Sequence, residues 1–99
     1  MDKSKPSHDL EAFKAAFARY RTITDTALLD ARELGYARHE IIHVVQKLRH
    51  SNFIKSMTSY GDHRQWQDVY NIEDRGQIIY LKFTDHVLTE FILLSFKRK

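Results

Sequence analysis

Apolar residues along this chain change their spacing once, near His50. Before that point they recur every three or four positions, the step that lines one face of a helix. After it they alternate, the step that lines one face of a strand. Leu10, Phe13, Phe17 and Tyr20 form the first helical stripe, with Lys14 and Arg19 opposite. Ser7 stands where a cap is needed, and Asp9 and Glu11 complement the helix dipole in the first turn. Thr24 opens a second helix running through Leu34, with Ala27, Leu28, Ala31 and Leu34 on one face and Gly35 as its left-handed stop. A third pattern covers Arg38 to Leu48 and turns Ile41, Val44, Val45 and Leu48 inward, leaving His39, Glu40, His43 and Lys47 outside. Met1 to Pro6 carries no such period and reads as a frayed leader.

Four runs rich in β-branched and aromatic residues follow: Phe53 to Tyr60, Gln65 to Asn71, Gln77 to Thr84 and Val87 to Lys97. They are separated at Gly61-Asp62, at Asn71 to Gly76 and around Asp85. Breaks this short predict antiparallel neighbours, because parallel strands need a crossover of about a dozen residues or more. The expected fold class is α+β, with three N-terminal helices packed on a mainly antiparallel sheet formed by the C-terminal half. One domain covering residues 1–99 is expected.

Alternation also sorts the polar residues of the strands. In the last run Ile92, Leu94 and Phe96 should meet the helices, which sends Ser95 and Lys97 to the far face. In the run before it Gln77, Ile79, Leu81 and Phe83 form the inward set, so Tyr80 and Lys82 face away. Ile54 alternates with Lys55, and Gln67 with Trp66 and Asp68. One face thereby gathers Lys55, Gln67, Tyr80 and Lys97 from four strands, provided that no bulge exchanges the two sides. The same residue types also describe an ordinary solvent-exposed sheet face. Trp66 and Tyr70 read as packing residues.

Composition narrows the chemistry. Hydrophobic residues make up 42% of the chain and charged residues 29%, the balance of a folded soluble protein. The absence of cysteine removes disulfides, thiolate metal sites and thiol nucleophiles. No apolar run approaches the roughly 20 residues that span a bilayer, and the charged N-terminus is unlike a secretory signal. A cytoplasmic protein with no membrane role is expected. Sixteen Lys and Arg against 13 Asp and Glu leave a formal charge of +3, compatible with a polyanionic partner. Phosphate loops, zinc-protease and serine-hydrolase motifs are absent. The carboxylate pairs Asp62 with Asp68 and Glu73 with Asp74 lack a third ligand, and His43 and His50 have no carboxylate at ligand spacing. Neither metal nor cofactor is expected.

A face carrying lysines, a tyrosine and a glutamine suits RNA. Lysine holds phosphate as a point charge and becomes a base when burial or other cations lower its pKa. Tyrosine donates a proton or stacks on a nucleobase, and glutamine holds a phosphate oxygen or reads a base edge. Cleavage by attack of the 2′-OH on the adjacent phosphodiester needs a base, an acid and charge stabilisation. A nucleic-acid-binding co-repressor module without catalysis would use the same face for phosphate contacts alone.

The runs KSMTSYGDHRQWQDVY (Lys55 to Tyr70), GQIIYLK (Gly76 to Lys82) and LLSFKRK (Leu93 to Lys99) resemble the MqsR family of bacterial toxins. RTITDTALLDARELG (Arg21 to Gly35) is similar to that family's second-helix region. The resemblance implies a RelE-like α+β fold and a type II toxin acting as a ribosome-independent mRNA endoribonuclease, cutting at GCN-type triplets and GCU above all. It implies neutralisation by an MqsA-type antitoxin that carries a zinc-binding part and a helix-turn-helix DNA-binding part, and a bearing on stress response and biofilm formation. Carried over residue by residue, the family's functional positions fall on Lys55, Gln67, Tyr80 and Lys97. His63, Lys82 and Arg98 stand beside them as further candidates for RNA contact or acid–base work. The chain departs from the family pattern at Asn71 to Arg75 and at Thr84 to Glu90.

Overall fold

A computed structural model describes residues 1–99. The helices α1 (Leu10–Tyr20), α2 (Asp25–Glu33) and α3 (Arg38–Gln46) precede most of the sheet. The sheet has five antiparallel strands in sequence order: β1 (Asp2–Lys3), β2 (Phe53–Ser59), β3 (Asp62–Asp74), β4 (Gln77–His86) and β5 (Glu90–Arg98). The α+β class holds. All three helices contribute to the core, a cluster of 16 buried residues that also draws on β3, β4 and β5. At its centre the Phe13 ring of α1 lies flat on Phe83 of β4, centroids 3.7 Å apart and planes within 3°.

Local chemistry ends the helices. Asp9, not Ser7, caps α1, its Oδ1 accepting the Ala12 N–H at 3.1 Å. Thr24 caps α2 as its position predicts, accepting the Ala27 N–H at 3.1 Å, and Gly35 takes a φ of 90° after the helix. Thr24 has a second task. Its N–H donates to Leu93 O at 3.1 Å, and Leu93 N–H donates back to Thr22 O at 3.0 Å, so residues 22–24 clip onto the outer edge of β5. The small side chains of Ala27 and Ala31, both fully buried, let α2 lie close to that strand. Tyr20, expected on the inward stripe of α1, is exposed.

The N-terminus is not frayed. Asp2 pairs with Met57 and Lys3 with Ser56, extending the sheet beyond β2. The Met1 ammonium donates to Thr58 Oγ1 at 3.2 Å, and the Lys3 ammonium sits 4.1 Å over the Trp66 ring. Ser7 N–H and His8 N–H both donate to the buried Asp68 carboxylate, at 3.0 and 2.9 Å to its two oxygens. This explains why Ser7 does not cap: its backbone is committed to β3. A two-residue strand is too short for alternation to register in sequence.

Strand limits and faces also differ from expectation. β3 runs through most of the stretch read as a break, and β3 and β4 are joined by Arg75-Gly76 alone, with φ of 54° and 75°. Two positive φ values make the tight turn whose twist matches its strands. β5 begins at Glu90, leaving Val87 in the loop. Two single-residue bulges intervene beside the site rows, and a third register shift lies between Thr58 and Ser59, near the β2–β3 turn. Ile54 is an extra residue between the Phe53–Tyr70 and Lys55–Val69 pairs. Leu94 is another, because Lys82 pairs with Ser95 and Phe83 with Leu93. The inward residues of β5 are therefore Leu93 and Phe96, both fully buried, rather than Ile92, Leu94 and Phe96. Lys97 keeps its expected face because it lies on the Phe96 side of the bulge.

Asp74 fastens the end of β3 to the helical layer. It accepts the Tyr36 hydroxyl at 2.6 Å and an ion-pair hydrogen bond from Lys47, while Arg75 pairs with Glu40 of α3. The Lys47 and Tyr36 bonds hold its carboxyl below the usual carboxylate range. Its stabilisation is therefore complete above the unfolded value, about 3.9, and is lost as pH falls through the lower folded value. Asp74→Asn is expected to lose about 1–3 kcal/mol in urea unfolding at neutral pH. The gap from wild type should close below about pH 4; a gap that stays constant into acid would refute the assignment.

Candidate active site

Residues opposite one another in an antiparallel pair point to the same side of the sheet. Tyr70 of β3 faces Leu81 of β4, which faces Phe96 of β5, and all three are buried against the helices. The neighbouring rows point the other way. One runs Lys55–Val69–Lys82–Ser95 across four strands, and the next runs Asn71–Tyr80–Lys97 across three. Gln67, two residues before Val69 and paired with Met57, completes the patch. Lys55, Gln67, Tyr80 and Lys97 thus share the face that carries no helix, and Lys82 shares it with them.

The face is partly closed by its own side chains. Val69 is fully buried there although it does not belong to the helix-side core. Its row neighbours Lys55 and Lys82 flank it, and their aliphatic stems are what can cover it. The Lys97 ammonium lies 5.5 Å from the centre of the Tyr80 ring, a cation–π distance. Gln67 is buried down to 9% exposure. Lys82 is partly buried, and burial first, then the charges of Lys97 and Lys55, push its amine below the usual lysine value. These three lysines form a like-charge group on the face.

Two contributors were not legible in the sequence. Asp2 of β1 reaches Lys55 with a carboxylate oxygen 3.3 Å from the ammonium, a pairing that exists only because the leader is a strand. Asn71, read as part of a turn, sits beside Tyr80 with its Oδ1 buried and without a partner.

The other candidates sit elsewhere. His63 is exposed near the start of β3 and lines a shallow cavity of about 570 Å³ with Met57, Tyr60 and Asp2, at the rim of the face. Asp62 is engaged by Arg64 rather than by His63: the Arg64 N–H donates to Asp62 Oδ1 at 2.9 Å, which holds that carboxyl below its usual range. Arg98 pairs with Ile79, a core-facing residue, so register sends it to the opposite side from Lys97. Its adjacency in sequence misled, since neighbours in a strand alternate. Trp66 is partly buried under Lys3, and Tyr70 is fully buried, its hydroxyl pushed up to about 12 by burial. No group of three or more His, Asp or Glu is disposed to hold a metal ion, and no helix is long and apolar enough to cross a membrane.

This arrangement can clamp a phosphodiester. Ammonium groups from the first, third and fourth of four adjacent strands, about 5 Å apart per strand, surround a phenol and an amide. Residues 5–98 match the family described as motility quorum-sensing regulator, toxin of MqsA. The chain is also 40% identical over 101 aligned residues to the mRNA interferase toxin MqsR of Escherichia coli K12, with both chains covered completely. A match across almost the whole chain, together with a full-length relative at that identity, means that this protein belongs to the MqsR toxin family.

Proposed function

We propose that this protein is a type II toxin whose activity is ribosome-independent, metal-independent cleavage of mRNA in the cytoplasm, at GCN-type triplets and at GCU in particular, which arrests translation and growth. The observation that carries the reading is the gathering of Lys55, Gln67, Tyr80, Lys82 and Lys97 on the helix-free face of the sheet. Lys55 and Lys97 bind the scissile phosphate and neutralise the charge that builds on its oxygens. Tyr80 is the proton donor to the leaving oxygen, with Lys97 above its ring favouring the electron-rich phenolate that this leaves. Gln67 orients the substrate. His63, at the rim of the face, is a peripheral RNA contact. The donor set supports chemistry without a metal, because amines and a phenol supply base, acid and charge stabilisation directly. The partner that silences the toxin is an MqsA-type antitoxin bearing a zinc-binding part and a helix-turn-helix DNA-binding part.

The purified chain, given total RNA with a chelator and no ribosomes, is expected to cut at one class of triplet, read by primer extension. A requirement for added divalent metal would remove the metal-independent mechanism. Salt-sensitive binding with no cut product would replace the enzyme by a nucleic-acid-binding co-repressor.

A further inference from the structure

Lys82 occupies the middle of the lysine group. Across β3 it looks toward Lys55, and diagonally along β5 toward Lys97, while β3 presents the neutral Gln67, Val69 and Asn71 near it and the Glu73 carboxylate only farther along, opposite Ile78. Tyr80 stands two residues away on the same strand. Of the carboxylates on this side, Asp2 is taken by Lys55 at 3.3 Å, and Glu73 and Glu90 stand opposite Ile78 and His86, toward the two ends of β4. Lys97 is exposed to water, whereas Lys82 is partly buried and has no hydrogen-bond or ion-pair partner of its own. The three lysines are therefore not equivalent.

We infer that Lys82 is the general base of the cleavage, the group that takes the proton from the ribose 2′-hydroxyl. The inference rests on the proposed RNA-cleaving role of this face and deepens it. Neutral Lys82 Nζ accepts the 2′-OH proton as the 2′-oxygen forms its bond to phosphorus. The bond from phosphorus to the 5′-oxygen breaks, and that oxygen leaves with a proton from the Tyr80 hydroxyl. The products are a 2′,3′-cyclic phosphate and a 5′-hydroxyl, and no oxidant or second substrate enters. A base must spend part of its time uncharged near neutral pH, and burial together with the Lys97 and Lys55 ammonium groups moves Lys82 in that direction. The same two neighbours are placed to hold the phosphate, so one arrangement of charge serves both tasks.

The test is single-turnover cleavage of a short RNA with one cut site, by wild type and Lys82→Arg, as a function of pH. Arginine keeps the positive charge for phosphate but stays protonated. The variant is expected to bind RNA like wild type, to cleave about 100-fold or more slowly, and to lose the rise in rate with pH that a titrating base produces. A substrate with sulfur in place of the 5′-bridging oxygen, whose leaving group needs no proton, should restore Tyr80→Phe and leave Lys82→Arg slow. If arginine does not fit the fold, Lys82→Met must show the same loss and the same failure of rescue. Cleavage by Lys82→Arg within a few-fold of wild type, or rescue of that variant by the sulfur substrate, would overturn the assignment. Wild-type cutting of an RNA with 2′-deoxyribose at the cut position would instead overturn the underlying reading, and the inference with it.

Discussion

Replacing Lys55 and Lys97 together by alanine is expected to reduce RNA cleavage by about 10⁴-fold without unfolding the protein. Each lysine supplies a cation to the scissile phosphate in the proposed site, and loss of one charge-stabilising donor costs a typical enzyme about 10²–10³ in rate. Groups that act on one phosphate do so as a unit, so the second substitution should add less than the first. The fold should tolerate the pair. Lys97 is exposed, and the Lys55–Asp2 contact has both side chains about half in water, where an ion pair contributes at most about 1 kcal/mol. Removing two of three clustered ammonium groups also relieves repulsion on Lys82. The measurements are cleavage of a defined transcript, thermal unfolding and the salt dependence of RNA binding. The salt slope should fall by about 0.7 for each phosphate contact removed. Cleavage by the double variant within tenfold of wild type, with unchanged unfolding, would remove both lysines from the site.

The largest effect on stability is expected at Phe83, on the helix side of β4. Its ring lies under Phe13, contacts Tyr70 at 5.9 Å and meets Phe91 edge-on at 5.8 Å, and it is fully buried. Phe83→Ala removes a ring from a site walled by other rings, which have little freedom to collapse into the space. The expected loss is about 4 kcal/mol, of which about 1 kcal/mol comes from the stacked geometry rather than from buried area. A domain of this size holds about 5–15 kcal/mol in total, and each kcal/mol moves the melting temperature by about 4–8 °C. The variant should therefore melt roughly 20 °C or more below wild type. Phe83→Leu, which refills most of the volume, should recover over half of that. A loss under about 1 kcal/mol for alanine would mean that the ring stack does not anchor the helices to the sheet.

Much of the fold was legible because its elements follow strong periods. The three helices came from apolar steps of three and four, and Thr24 and Gly35 marked the ends of α2 where the structure has them. What escaped was of a different physical kind. β1 owes its place to pairing with residues more than fifty positions away, and nothing local encodes that. The Arg75-Gly76 turn was hidden because arginine is not a residue that advertises a positive φ, whereas asparagine or aspartate before glycine would have been read at once. Both bulges put an extra apolar residue into an apolar run, at Ile54 and at Leu94, where alternation has no contrast with which to detect it. The site face survived these errors because each bulge precedes its lysine. The odd residue falls before Lys55 and before Lys97, and the parity of each lysine with its own strand partners is intact. Arg98 was misassigned for the complementary reason, that a neighbour along the strand is a stranger across it.

The clip between Thr22–Thr24 and β5 has a consequence for the order in which the toxin comes into being. It joins residues about 70 positions apart, and β5 also delivers Phe96 to the core and Lys97 to the face. A chain in which β5 has not yet docked can pair β2, β3 and β4 and can bring Lys55, Gln67, Tyr80 and Lys82 to one face. It lacks Lys97 on that face, and the α2 layer has nothing to close upon. Closure through contacts this distant in sequence is slow compared with helix or hairpin formation. The face that gathers Lys55, Gln67, Tyr80 and Lys97 is thus expected to be completed only when β5 docks, at a late step of folding.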